Sequence, residues 1–141
     1  MSVAAFSRLA CPLDGAPLSQ AGAVWRCPAG HSFDSAAQGY VHLLPVQQKR
    51  SRDPGDSKLM VDARRRFLDA GHYQPIAAAL ARNALAGLAD GASLLDAGCG
   101  EGHYLRALAA AVPAGRTVEL VGLDISKWAI QSAARHDKRP R

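Results

Sequence analysis

The densest chemistry in the chain lies in nine residues, Leu94-Leu95-Asp96-Ala97-Gly98-Cys99-Gly100-Glu101-Gly102. Two apolar residues lead into an acid, three glycines follow at every second position, and Tyr104, Leu105, Leu108 and Val112 then recur at helical spacing. The pattern predicts a strand, a tight turn and a helix start. Glycine has no Cβ and accepts positive φ, so such a turn lets backbone approach a ligand closely. The helix start behind it offers unpaired N–H groups and a positive dipole end. A second apolar run, Val118 to Leu123, ends on Asp124. That places an acid at the tip of the next strand, about 20 residues on, where it can hydrogen-bond ribose hydroxyls. The candidate nucleoside site is therefore Asp96, Gly98, Gly100, Glu101, Gly102 and Asp124. The dinucleotide fingerprint sets its third glycine three residues after the second; here the spacing is even and position 103 is His. An ordinary dinucleotide turn remains the alternative.

A second constellation stands near the N-terminus. Cys11-Pro12-Leu13-Asp14 and Cys27-Pro28-Ala29-Gly30-His31 are two short clusters of ligand types on Pro/Gly turns, 12 residues apart. This is how a small zinc ribbon is built, with Val24-Trp25-Arg26 as a hairpin strand between the clusters. Cys11, Asp14, Cys27 and His31 are the candidate ligands. Asp14 stands where a fourth soft ligand is expected, and carboxylate is a harder donor than thiolate. A metal-free hairpin with two buried thiols is the alternative.

The bulk properties bound the rest. The chain has 141 residues, 48% of them hydrophobic, with a net charge of +5. That length suits one domain better than two, and the apolar content permits a packed core. No apolar run reaches the length of a membrane span, and no secretory leader is expected at the N-terminus. Three cysteines, an odd number, argue against a disulfide framework and for a reducing, cytoplasmic setting. From Lys49 to Arg66 there are seven basic and three acidic residues, which is +4 of the total +5. The basic character is thus local, as for a patch that meets phosphates, although a solvated linker and helix face would read the same.

Other elements must hold these groups in place. Residues 1–10 predict a tail without an element. Gly39 to Leu44 predicts an extended strand ended by Pro45. Residues 47–57 predict a charged, turn-rich linker. Ser57 or Asp56 caps a helix through Leu59, Met60, Ala63, Phe67 and Leu68 that stops at Gly71. Pro75 opens an Ala-rich helix, residues 76–88, expected to lie against a sheet face. Gly71-His72-Tyr73-Gln74 between them predicts a capping turn. Ser126 caps a final helix from Lys127 to about Arg135.

The acid–glycine bend with its later acid resembles motifs I and II of the class I S-adenosylmethionine-dependent methyltransferases. Several further pieces together resemble one family within that class. They are the Cys-Pro and Cys-Pro…His clusters, Gly39-Tyr40-Val41 with Leu43-Leu44-Pro45-Val46-Gln47, Lys49 through Asp56, Arg64-Arg65, Phe67-Leu68, Gly71-His72-Tyr73 with Pro75, and Asp96 to Gly102. The family is the bacterial 23S ribosomal RNA guanine-N1 methyltransferases, with their macrolide-resistance relatives.

The resemblance implies an α/β fold: a small zinc-ribbon-like β unit for RNA recognition (1–46), a basic linker (47–57), and the first βαβ portion of a Rossmann-like methyltransferase sheet (58–141). It implies Cys11, Cys27 and His31 as zinc ligands with Asp14 in the fourth position. Tyr73 matches a residue contacting S-adenosylmethionine, Gly100 and Glu101 match the cofactor loop, and Asp124 matches the acid of the second strand. The implied partner is a 23S rRNA hairpin; a homodimer and no membrane are expected besides. Family members have a seven-stranded catalytic sheet, whereas this chain stops after its second strand. It therefore reads as an N-terminal portion, with one apolar sheet edge bare and residues 94–141 weakly stable by themselves. No catalytic base is identified. The competing readings are a zinc-ribbon RNA-binding module without catalysis and a non-functional remnant.

Overall fold

The computed structural model describes residues 2–4 and 6–137. In chain order the elements are β1 (Ser2–Ala4), β2 (Ser19–Ala21), β3 (Val24–Arg26), β4 (Ser32–Asp34), a 3-10 turn (Val46–Gln48), α1 (Lys58–Asp69), α2 (Gln74–Ala86), β5 (Ser93–Ala97), α3 (His103–Ala111), β6 (Thr117–Leu123) and α4 (Lys127–His136).

Two sheets form. The first is an antiparallel meander, β2-β3-β4, in which Trp25 stands opposite Phe33. Those rings pack with Cys11, Leu18 and Cys27 into a small core. A core of five buried residues is little for a free-standing unit, which is the usual reason such units carry a metal.

The second sheet has the order β1-β6-β5, all parallel. The β5–α3–β6 crossover puts Leu105, Leu108 and Val112 against Val118 and Leu120, and Ala81 and Leu85 of α2 close the same core. In the register of β5 and β6, Asp96 faces Gly122 and Ala97 faces Leu123. Asp96 and Asp124 therefore both stand at the carboxyl ends of neighbouring parallel strands, where open α/β sheets bind ligands.

Two expectations need correction. Residues 2–4 are a strand, not part of an element-free tail: they cover the outer edge of β6, so the sheet has three strands where two were expected. Three residues are too few to display an alternating pattern, and an open parallel edge supplies the missing information. Residues 39–44 form no strand; Val41 makes only an isolated bridge to Ser35. Backbone pairing with the end of β4 is limited to the Ala36 N–H to Tyr40 carbonyl and His42 N–H to Asp34 carbonyl bonds, and Val41 and Leu43 pack side-on against the ribbon core. The inner stripe of α1 is Val61 and Leu68, while Leu59, Met60 and Phe67 are exposed. As expected, α2 lies against the sheet's core, along α3, through Ala81 and Leu85, and it leaves Ile76 and Leu80 exposed. An Ala-rich helix looks apolar all round, and only the small side chains permit the close approach.

The outer edge of β5 is bare among the described residues, and Leu95 remains 59% exposed beside it. An unpaired apolar edge is a ready template for another strand.

Candidate functional site

The glycine bend is built as the spacing predicts. Gly98, Gly100 and Gly102 have φ of 84°, 57° and 81°, values that side-chain-bearing residues rarely adopt. Gly102 caps α3, and nothing stands within 4 Å of where a Cβ would project at Gly98 or Gly100. The bend therefore presents open backbone on its ligand side.

Asp124 closes the arrangement. Its Oδ2 accepts from the Gly100 N–H at 2.8 Å and its Oδ1 from the Ser126 N–H at 2.8 Å. Two backbone donors fix the carboxylate directly over the bend. Asp96, half-buried on β5, has its Oδ2 buried without a partner among the described residues. Burial, and then the charge of Asp124, pushes the Asp96 carboxyl above its ordinary range. A buried acceptor beside a glycine turn is an unfilled demand for a donor.

Glu101 is almost wholly buried. Arg106 holds it twice, Nη1 donating to the Glu101 carbonyl at 2.6 Å and Nη2 to Oε2 at 2.7 Å, while Oε1 has no partner among the described residues. Arg106 was not singled out by sequence. A cation one helical turn past a buried acid is the signal that finds it. Cys99 lies under the bend against Gly122, and burial together with the charges of Asp124, Asp96 and Glu101 pushes its thiol up to about 12. A thiol so hard to ionise is a packing group rather than a nucleophile.

Tyr73 is placed elsewhere. It caps α2, its ring meets Phe67 edge-on at 5.0 Å, and it does not line the groove shared by Gly98 and Asp124. That groove, about 1280 Å³, runs from the carboxyl ends of β5 and β6 to residues 40–56, with Arg8, Lys49, Arg52 and Lys127 along it. It is roomy enough for a nucleoside-sized ligand. S-adenosylmethionine fits the chemistry present: backbone that no side chain crowds at Gly98 and Gly100, a carboxylate fixed by two backbone donors at Asp124, and an unpartnered buried acceptor at Asp96.

The metal-ligand candidates converge. The donor atoms of Cys11, Asp14, Cys27 and His31 all lie within 4.8 Å of one another. Asp14 Oδ2 is 3.3 Å from Cys27 Sγ and 3.1 Å from His31 Nδ1, and His31 Nδ1 is 3.5 Å and 3.4 Å from the two sulfurs. Four donors at about 2.0–2.3 Å from one tetrahedral ion stand roughly 3.3–3.8 Å apart, so the set has the dimensions of a zinc site. Asp14 is held for this role by the Ala16 N–H, which donates to Oδ1 at 2.9 Å and leaves Oδ2 facing the sulfurs. That hydrogen bond leads the influences that lower the Asp14 carboxyl to about 2.

Comparison with known proteins follows these two sites. Residues 9–52 match the family model described as RlmA, N-terminal, a zinc ribbon, and residues 88–140 match that of a methyltransferase domain. The chain is 41% identical over 133 positions to the 23S rRNA (guanine(748)-N(1))-methyltransferase of Streptomyces fradiae, covering 93% of this chain and 45% of that protein. It is 44% identical over 149 positions to a protein of Micromonospora griseorubida provisionally named a 23S rRNA (guanine-N(1)-)-methyltransferase, covering 93% and 48%. A similarly named Bacillus subtilis (strain 168) protein, YxjB, is 32% identical over 136 positions, covering 92% and 46%. The chain thus spans about half the length of the curated relatives it matches. Among the described residues no helix is long and apolar enough to cross a membrane. The chain thus joins an RlmA-type zinc ribbon to a methyltransferase-domain segment and is similar along nearly its whole length to proteins named 23S rRNA (guanine-N1)-methyltransferases.

Proposed function

We propose that this chain supplies the RNA-recognition unit and the donor-binding part of an S-adenosylmethionine-dependent methyltransferase acting on guanine N1 in a 23S rRNA hairpin loop. The observation that carries the reading is the Asp124 carboxylate seated 2.8 Å from the Gly100 amide. This geometry suits ribose hydroxyls over a backbone cradle. When bound, S-adenosylmethionine supplies a methyl group on a sulfonium, which passes to N1 as the N1 proton is released.

The chain's own residues orient that ligand. The bend faces it with backbone that no side chain crowds at Gly98 and Gly100, its shape fixed by amides that donate to Leu123, Asp124 and Cys99; Asp124 takes the ribose, and Asp96 and Glu101 offer their unpartnered oxygens to its donors. Tyr73 is retained as a donor-site residue on the family match alone. The ribbon at 1–46, the linker at 47–57 and the region 58–141 divide these tasks, with residues 2–4 returning to the second sheet. Zinc on Cys11, Asp14, Cys27 and His31 holds the ribbon in shape. A cytoplasmic setting suits three free thiols and a ribosomal substrate. Self-association as a homodimer is supported by the exposed Leu59, Met60, Ile76 and Leu80 on α1 and α2.

Equilibrium binding tests the reading. The zinc-loaded chain is expected to bind both S-adenosylmethionine and a transcribed 23S rRNA hairpin. Hairpin binding with no donor binding would favour a ribbon that recognises RNA without catalysis.

A further inference from the structure

The basic linker is not free. Gly55 has φ +80°, and a Cβ there would stand 2.9 Å from Ile125 Cγ2 and 3.0 Å from the Ser126 N. The chain at Gly55 therefore presses directly onto the segment that leaves β6. Next to it, Ser126 Oγ donates to the Asp56 carbonyl at 2.6 Å across 70 residues of sequence, and Asp53 pairs with Lys127. Ser126 is 1% exposed, and the same hydroxyl accepts from the Ala129 N–H at the start of α4. Its own N–H is held by Asp124, which in turn holds Gly100. One unbroken hydrogen-bonded path thus runs from the linker backbone through Ser126 and Asp124 to the glycine bend. Lys49 and Arg52, a few residues before the latch, line the same groove as Gly98 and Asp124.

We propose that Gly55 and Ser126 are positioning residues that latch the linker to the Asp124 segment, so that phosphate binding by the linker cations and donor binding at the bend reinforce each other. The proposal rests on the functional reading above, which names the two ligands; it adds the device that couples them. Both residues line the groove, and the role assigned to them is to hold the linker and Asp124 in place rather than to bind either ligand. Phosphates held by Lys49 and Arg52 restrain the linker, the restrained linker keeps Ser126 in place, and Ser126 keeps the Asp124 carboxylate over Gly100. A ligand that binds the restrained state better is favoured by anything else that restrains it.

The test uses the zinc-loaded chain and two readouts. Calorimetry of S-adenosylmethionine with and without a saturating 23S rRNA hairpin should give a donor affinity about fivefold or more tighter with RNA present. In Gly55→Ala that ratio should fall to near one. In the milder surface variant Asp53→Asn, which removes the ion pair to Lys127, it should fall part of the way. Hydrogen exchange on the ligand-free protein needs neither ligand: Gly55→Ala should speed exchange of the Ser126 and Gly100 amides about tenfold, with those of Ala81 and Leu85 unchanged. A Gly55→Ala protein that keeps both the wild-type affinity ratio and the wild-type exchange rates overturns the latch. Wild-type protein that binds both ligands with no mutual effect overturns the coupling while leaving the function reading intact. Wild-type protein that ignores the donor overturns the function reading and the coupling with it, and the exchange rates still decide whether the latch exists.

Discussion

The carboxylate of Asp124 and the amide of Gly100, 24 residues apart in sequence, meet at 2.8 Å over the glycine bend. The two strands that carry them are parallel and in register to their last residues, Ala97 opposite Leu123. The acid that follows one strand is thereby set above the turn that follows the other. Replacing Asp124 by Ala removes a charged acceptor from the seat. Hydrogen bonds to charged groups contribute about 1.5–3 kcal/mol each, so donor affinity should fall about ten- to a hundredfold, read by calorimetry.

Asp96 should make folding pH-dependent in a definite direction. Its carboxyl holds a proton more tightly in the folded chain than in the unfolded one, because burial and the Asp124 charge oppose ionisation. Its contribution to stability is therefore most favourable below the ordinary carboxylate range. It declines as pH rises through that range and levels off above the raised folded value. Asp96→Asn should flatten this part of the profile and raise the melting temperature of the ligand-free protein at pH 7 by a few degrees. Melting curves of the two proteins between pH 3 and 7 check this, and an unchanged difference across the range would contradict it.

The ribbon should hold one zinc ion per chain, found by elemental analysis, and Cys27→Ala should lose it. Asp14→Cys restores a soft donor at the same corner and should slow zinc release to a chelator by about an order of magnitude. Trp25, buried in the ribbon core opposite Phe33, reports the event: metal removal should shift its emission to the red.

Gly122 is a packing requirement rather than a turn. A Cβ there would stand 2.7 Å from Leu105 Cδ1 and 2.9 Å from Cys99 Sγ, beneath the bend. Gly122→Ala should destabilise the protein by about 1–3 kcal/mol in urea unfolding through overpacking. Cys99→Ala introduced beside it should recover part of the loss.

What was legible in the sequence was local. Even glycine spacing gave the bend, an apolar run ending on an acid gave Asp124, Pro/Gly turns gave the ribbon's ligand pairs, and Ser57 and Ser126 each cap the helix expected of them. What was not legible depends on partners far along the chain. Ser2–Ala4 is a strand only because β6 offers an open edge. Residues 39–44 carry strand-like composition but pair with the end of β4 at a single bridge, Val41 to Ser35, while Val41 and Leu43 pack against the ribbon core. Gly55 reads as an ordinary turn glycine until Ser126, 71 positions on, is seen pressed against it. Arg106 reads as one more surface cation until Glu101 is seen buried beneath it.

The most direct test of the account is calorimetric titration of the zinc-loaded chain with S-adenosylmethionine, its demethylated product and NAD in parallel. The account predicts saturable binding of the sulfonium donor and its product at one site per chain, weakened in Asp124→Ala, and no binding of NAD. Uptake of NAD by a protein indifferent to the sulfonium donor would contradict it.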